Sequence, residues 1–143
     1  MTNEIQFTVP GQPVAKGRAR AAMRGKSITM YTPIKTVNYE GLVAHSASVA
    51  MAGRSLIQGA VSVELDIMLQ IPESWSIKKK IAAVNGSIAA TKKPDCSNIL
   101  KAIEDGMNGV VYKDDSQIVR VIQNKRYSET PGVLVIVREI KTW

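Results

Sequence analysis

Five of the chain's twelve carboxylates, Asp95, Glu104, Asp105, Asp114 and Asp115, fall between residues 92 and 117. The chain carries a formal net charge of +7, so acids gathered in one stretch call for a local reason. A divalent metal is one such reason. Mg²⁺ is a hard cation that takes carboxylate and water oxygens, usually one or two carboxylates together with substrate phosphates. A solvated helix followed by an acidic turn has the same composition, and structural charge clusters are common. The other side chains narrow the chemistry. One histidine, His45, and one cysteine, Cys96, are too few for the usual Cys/His zinc site. His45 has no acidic or cysteine neighbour at ligand spacing, and Ser-His-Asp or Cys-His hydrolysis is equally unattractive. If the chain hydrolyses a substrate, metal held by carboxylates is the remaining route.

The layout around these acids places them on defined elements. Pro94 disfavours helix at Lys93, so a new element starts near Asp95. Asp95 or Ser97 can cap it, offering a side-chain oxygen to the first free N–H groups. At about 100° per residue, Ile99, Ile103 and Met107 share one side of this helix, and Asn98, Lys101 and Asp105 share the other. Asn108-Gly109 is a natural stop. The segment Val110-Val111-Tyr112 then leads to Asp114 and Asp115. Those two point to opposite sides of an extended chain, so only one meets Asp95 unless the chain turns there.

The run PDCSNILKAIEDGMNG followed by VYKDDSQIV resembles the signature of the RusA family of Holliday junction resolvases. That family carries Pro-Asp-x-Asp-Asn-x-x-Lys at a helix start and Asp-Asp-x-Gln downstream. Weaker likeness extends over the opening FTVPGQPVAKGRAR, the YTP at Tyr31, IPESWS and the closing strands. The resemblance implies a small dimeric, Mg²⁺-dependent endonuclease that cuts four-way DNA junctions. By position it makes Asp95 and Asp115 metal-binding catalytic acids and Lys101 the catalytic lysine, with Asp114 as a further candidate ligand. Mn²⁺ is an alternative metal, and no small-molecule cofactor is expected. One position departs: the family's second aspartate is Ser97 here. The alternative that this departure raises is a relative that binds branched DNA without cutting it.

Behind the acidic stretch stand the elements that must position it. Residues 4–9 alternate Ile5, Phe7 and Val9 with polar residues, the period of a half-buried strand. Residues 33–51 read as a helix that Thr32 caps, with Val37, Leu42 or Val43, Ala47 and Ala50 or Met51 inward. Residues 59–71 alternate most strictly of all, Val61, Val63, Leu65, Ile67 and Leu69 against Ser62, Glu64, Asp66, Met68 and Gln70. Glu64 and Asp66 on that polar face either reach the acidic site or pair with Arg or Lys. Residues 72–84 hold a short helix capped by Ser74 or Ser76, with Trp75 packing it onto the sheet. Residues 118–127 and 133–139 are strands joined by a turn at Pro131-Gly132, read together as a basic hairpin. The order β-α-β-α-α-β-β describes an α+β domain of 143 residues, a small mixed sheet with helices packed on one face.

Residues 14–30 read as a loop or loose hairpin rich in positive charge. From Gly11 to Tyr39 there are six basic residues, Lys16, Arg18, Arg20, Arg24, Lys26 and Lys35, and no acid. Such a run repels itself without an anionic partner, and Lys and Arg bind DNA by releasing its counterions. Lys16, Arg18, Arg20, Arg24 and Lys26, with Lys92 and Lys93 before the acidic motif, are therefore the candidate DNA contacts. Tyr31 either stacks on a base or closes the hairpin's apolar edge. Few aromatics argue against a single-strand stacking protein. No run approaches a membrane span and no signal pattern opens the chain, so a cytoplasmic protein is expected. Trp143 is expected to fray or to dock at an interface.

Overall fold

The computed structural model describes residues 3–141, so Trp143 lies outside the described residues. The elements run β1 (Glu4–Pro10), β2 (Arg20–Arg24), β3 (Ser27–Tyr31), α1 (Ile34–Met51), β4 (Val61–Gln70), α2 (Ile77–Val84), α3 (Cys96–Met107), β5 (Ile118–Ser128) and β6 (Gly132–Glu139). A single 3-10 turn, Asp115–Gln117, leads into β5. Four strands form one mixed sheet in the order β1-β6-β4-β5, with β4 and β5 parallel and the other neighbours antiparallel. A parallel pair needs a long crossover between its strands. Here the crossover carries α2, α3 and the whole acidic stretch.

β4 takes the centre because every second residue is apolar: Val61, Val63, Leu65, Ile67 and Leu69 are all buried. They meet Val133, Val135 and Val137 of β6 and, beyond them, Ile5, Phe7 and Val9 of β1 on the same face. α1 and α3 cover that face with Tyr39, Val43, Ala47, Met51, Ile99, Ile103 and Met107. The other face carries ion pairs: Arg138 bridges Glu4 and Glu64, and Arg126 pairs with Asp66. Glu64 and Asp66 thus pair with arginines and stay away from the acidic site.

Three expectations are corrected. Residues 118–127 and 133–139 form strands, but they do not pair as a hairpin: β4 lies between them, paired with both. The most apolar strand takes the position where both edges are satisfied, and the short connection at Pro131 spans it. The start of α1 has Pro33 at its cap position with no side-chain cap bond, so Thr32 does not cap it. Its buried side is Thr36, Tyr39, Val43, Ala47 and Met51, while Val37 is 46% exposed. Val43, Ala47 and Met51 turn inward as expected, and only the first turn departs: Thr36 takes the inward place, its hydroxyl accepting a hydrogen bond from the Gly17 N–H at 2.9 Å.

The basic stretch forms the β2–β3 hairpin, with Arg24 facing Ser27 and Gly25 at φ 61 in the two-residue turn. Glycine at that position suits the twist of a tight hairpin. Neither face is covered: Met23, Ile28, Met30 and Tyr31 are all exposed. Elsewhere the short-element readings hold. The Ser76 hydroxyl caps α2 by accepting from the Lys79 N–H at 3.2 Å, and Trp75 packs edge-on against Tyr127 of β5 with ring centres 5.2 Å apart.

Candidate active site

α3 presents a mixed face to solvent because its apolar residues, Ile99, Ala102, Ile103, Gly106 and Met107, all turn to the core. Asp95, Asn98, Lys101 and Asp105 remain on the outer side. Asp95 sits at the helix cap position in an extended conformation, yet makes no capping bond. Its carboxylate accepts only a long hydrogen bond, 3.4 Å, from Asn98 Nδ2 among the described residues. The expected cap is therefore absent, and Ser97 lies exposed on the first turn. The chain entering α3 is held from the sheet: Lys125 Nζ of β5 donates to the carbonyls of Lys92 and Pro94, at 2.8 and 3.1 Å.

The acidic turn is fixed from the other side. Tyr112 is fully buried and its hydroxyl donates to the Glu104 carbonyl at 2.8 Å. That burial raises its phenol pKa beyond the ordinary range. Gln117 binds four backbone groups: its Oε1 accepts from the N–H groups of Lys113 and Asp114, and its Nε2 donates to the carbonyls of Ile57 and Gly59. Asp114 Oδ2 accepts from the Ser116 N–H at 3.0 Å, completing a capping box with Gln117, and hydrogen bonds from the Ser116 hydroxyl and N–H lower its pKa. The chain does turn at the two acids. Asp114 is committed to the turn, and Asp115 is directed back to α3, its Oδ2 3.1 Å from Lys101 Nζ.

A line of alternating charges results. Lys101 Nζ also lies 3.1 Å from Asp105 Oδ1, one turn along the helix. Asp105 Oδ2 lies 3.1 Å from Lys16 Nζ, and Lys16 pairs in turn with Glu40 of α1. The Asp115 and Asp105 carboxylates hold the Lys101 ammonium and push its pKa up to about 12. Burial opposes the charge on Lys16, but Glu40 and Asp105 outweigh it and raise that pKa too. Burial also raises Glu104. The backbone N–H of Lys16 donates to the Asn98 carbonyl at 2.9 Å, pinning the basic segment along α3.

Of the seven basic residues singled out from the sequence, Lys16 is thus turned inward onto acids. Arg18 and Lys93 line a cleft of about 490 Å³ together with Asp95 and Asn98. A second cleft of about 540 Å³, sharing Arg18 and Lys93, adds Arg20 and Lys35. Arg24 and Lys26 stand at the tip of the hairpin, and Lys92 lies 6.0 Å from the Trp75 ring centre. Lys101 and Asp115 meet directly, while Asp95 lies six residues before Lys101, about 9 Å along the axis. The roles of Lys125, Gln117, Glu40 and Tyr112 were not read from the sequence. Only Gln117 carried a signal, as the last residue of the Asp-Asp-x-Gln pattern.

Among the described residues, no three His, Cys, Asp or Glu side chains gather as a ready metal cage. Asp95 and Asp115 nevertheless offer hard anionic oxygens that no backbone cap consumes. Mg²⁺ is commonly held by one or two carboxylates, with waters and substrate phosphate completing its shell. The donor chemistry fits that ion.

A family model described as "Endodeoxyribonuclease RusA" matches residues 10–138, which include every residue of this site. The chain is also similar to an uncharacterized protein, YqaN, of Bacillus subtilis (strain 168). The two are 40% identical over 138 residues, 95% of this chain and 96% of that protein.

Proposed function

Because the chain belongs to the RusA endodeoxyribonuclease family, we propose that it is a Mg²⁺-dependent endonuclease cutting four-way DNA junctions in recombination and repair. The observation that carries this reading is the 3.1 Å contact between Lys101 and Asp115, which joins the two halves of the sequence motif beside a cleft lined by Arg18, Lys93 and Asp95. Asp95 and Asp115 would hold the metal, with Mn²⁺ able to replace Mg²⁺. When bound, it supplies Lewis acidity toward the scissile phosphate and the attacking water. Asp114 contributes by fixing where Asp115 points. Lys101 stabilises negative charge on the phosphate or its leaving oxygen. Arg18 and Lys93 bind the phosphates that flank the cut, with Arg20, Arg24, Lys26 and Lys92 extending the basic surface. Lys16 serves this surface indirectly, by holding the segment against α3.

A four-way junction presents two symmetric strands, and a two-fold dimer matches that symmetry. We therefore assign the active form as a homodimer working on cytoplasmic DNA. Sedimentation showing only monomer at micromolar concentration, with and without junction DNA, would count against it. No helix among the described residues is long and apolar enough to cross a membrane.

The reading is tested by a metal-dependent nicking assay on a four-way junction. Asp95→Asn and Asp115→Asn should each abolish cleavage while leaving junction binding nearly intact. Full cleavage by both variants sinks the site assignment. Ser97 favours one rival, a protein that binds junctions without cutting them. Wild-type binding without cleavage in any metal decides for that rival.

A further inference from the structure

Five charged side chains alternate in sign along the rim of the site: Glu40, Lys16, Asp105, Lys101 and Asp115. Asp105 is the middle of the line, and each of its oxygens serves a different ammonium. Oδ2 meets Lys16 and Oδ1 meets Lys101, both at 3.1 Å. The Lys16 side is anchored, since its backbone N–H is bonded to Asn98 and its ammonium to Glu40 as well. The Lys101 side is not. That side chain is 52% exposed, and its partners among the described residues are Asp105 and Asp115 alone. Asp105 is thus a carboxylate fixed at one oxygen and holding a movable cation at the other.

A divalent ion on Asp115 would repel an ammonium about 3 Å from the same oxygen, because like charges that close repel strongly even in a partly wet site. Lys101 must then leave Asp115. With Asp105 in place it keeps one partner at i,i+4 spacing and stays beside the phosphate. Without Asp105 it loses the second of its two salt-bridge carboxylates, and its closest remaining partner is Asp115, where it competes with the metal. We propose that Asp105 is a positioning residue: it retains Lys101 in the site while Asp115 exchanges an ammonium for a divalent metal. The consequence for catalysis rests on the nuclease reading, but the exchange belongs to the protein and its metal alone.

The test is a double-mutant cycle on Mn²⁺ affinity, measured by calorimetry without DNA. In the wild-type background Asp105→Asn should weaken Mn²⁺ binding roughly fivefold, within the usual range for contacting groups. In the Lys101→Met background the same change should cost less than about twofold, because the competitor is gone. Equal effects in both backgrounds would mean that Asp105 acts as a plain negative charge, and the proposal falls. It falls equally if the wild type binds no Mn²⁺. In the nicking assay, Asp105→Asn should lower kcat about tenfold or more with KM for the junction unchanged, and Asp105→Glu should recover much of the loss. A rise in KM with kcat intact overturns the positioning role. If the wild type binds Mn²⁺ but cuts no junction, the nuclease reading fails, and the cycle still decides the exchange.

Discussion

On the proposed nuclease reading, Ser97 sets how much anionic charge a metal would meet at the start of α3. With serine there, the motif supplies Asp95 and Asp115; an aspartate would add a third carboxylate on the first helical turn. Serine leaves a hydroxyl that can hold a water, and Mg²⁺ tolerates few carboxylates. Ser97→Asp should be accepted by the fold, because the position is exposed. It should lower the Mg²⁺ concentration for half-maximal cleavage by roughly an order of magnitude, as added ligand charge does in other hard-cation sites. An unchanged midpoint would show that another acid already supplies the charge. Asp114 gives a second residue-level expectation, this time for stability. Its folded pKa lies below 3.8 because it accepts from Ser116. Its contribution is therefore present above pH 3.8 and lost as pH falls through the folded value. Asp114→Ala should lower Tm at pH 7, and the gap to wild type should close below pH 3.8. A gap that stays constant into acid would remove the capping box as its cause. A motif in the sequence names Asp95, Lys101 and Asp115, and the structure brings the last two into contact. The i,i+4 spacing also puts Asp105 beside Lys101, but nothing local in the sequence says that Lys16 reaches across to Asp105 and Glu40.

At the scale of elements, the site depends on α1 and α3 lying unusually close. A Cβ built on Gly106 would come within 2.6 Å of Val43 Cβ and 3.0 Å of the Glu40 carbonyl. That proximity carries Glu40 to Lys16 and so completes the charge line. Gly106→Ala forces the helices apart and should cost about 1–3 kcal/mol, the usual range for overpacking. Chemical denaturation measures it, and a variant as stable as wild type would show that the helices give way freely. The strands and α3 were readable because burial imprints a period of two or of 3.6 on the residues. The direction of the acidic turn was not, because it is set by Gln117 bonding to Ile57 and Gly59, residues remote in sequence. The false hairpin of β5 and β6 has a related origin: a short turn tells which strands follow one another, not which third strand comes between them. Thr36 shows how a polar residue that bonds to a distant loop can take an inward place at a helix's first turn that the apolar pattern assigns to its neighbour Val37.

At the scale of the whole molecule, the chain carries a net charge of +7, and Arg18, Arg20, Lys35 and Lys93 line the clefts. Neutralising Arg18 and Arg20 together should weaken junction binding and reduce the slope of log K against log salt by up to about 0.9 for each lost phosphate contact. An identical slope would mean the clefts face away from DNA. The β2–β3 hairpin adds a different consequence. Among the described residues its backbone bonds only to itself, and Met23, Ile28 and Met30, which share one face, stand in water, as does Tyr31 on the other. An isolated two-stranded ribbon is marginally stable. Its amides should therefore exchange with solvent far sooner than those of β4, through local opening that leaves the core intact. Whatever seats this ribbon bears the entropy of ordering it and gains by covering Met23, Ile28 and Met30. Junction binding should then carry a negative heat-capacity change larger than phosphate contacts alone would produce, and that excess should vanish when the ribbon is cut away.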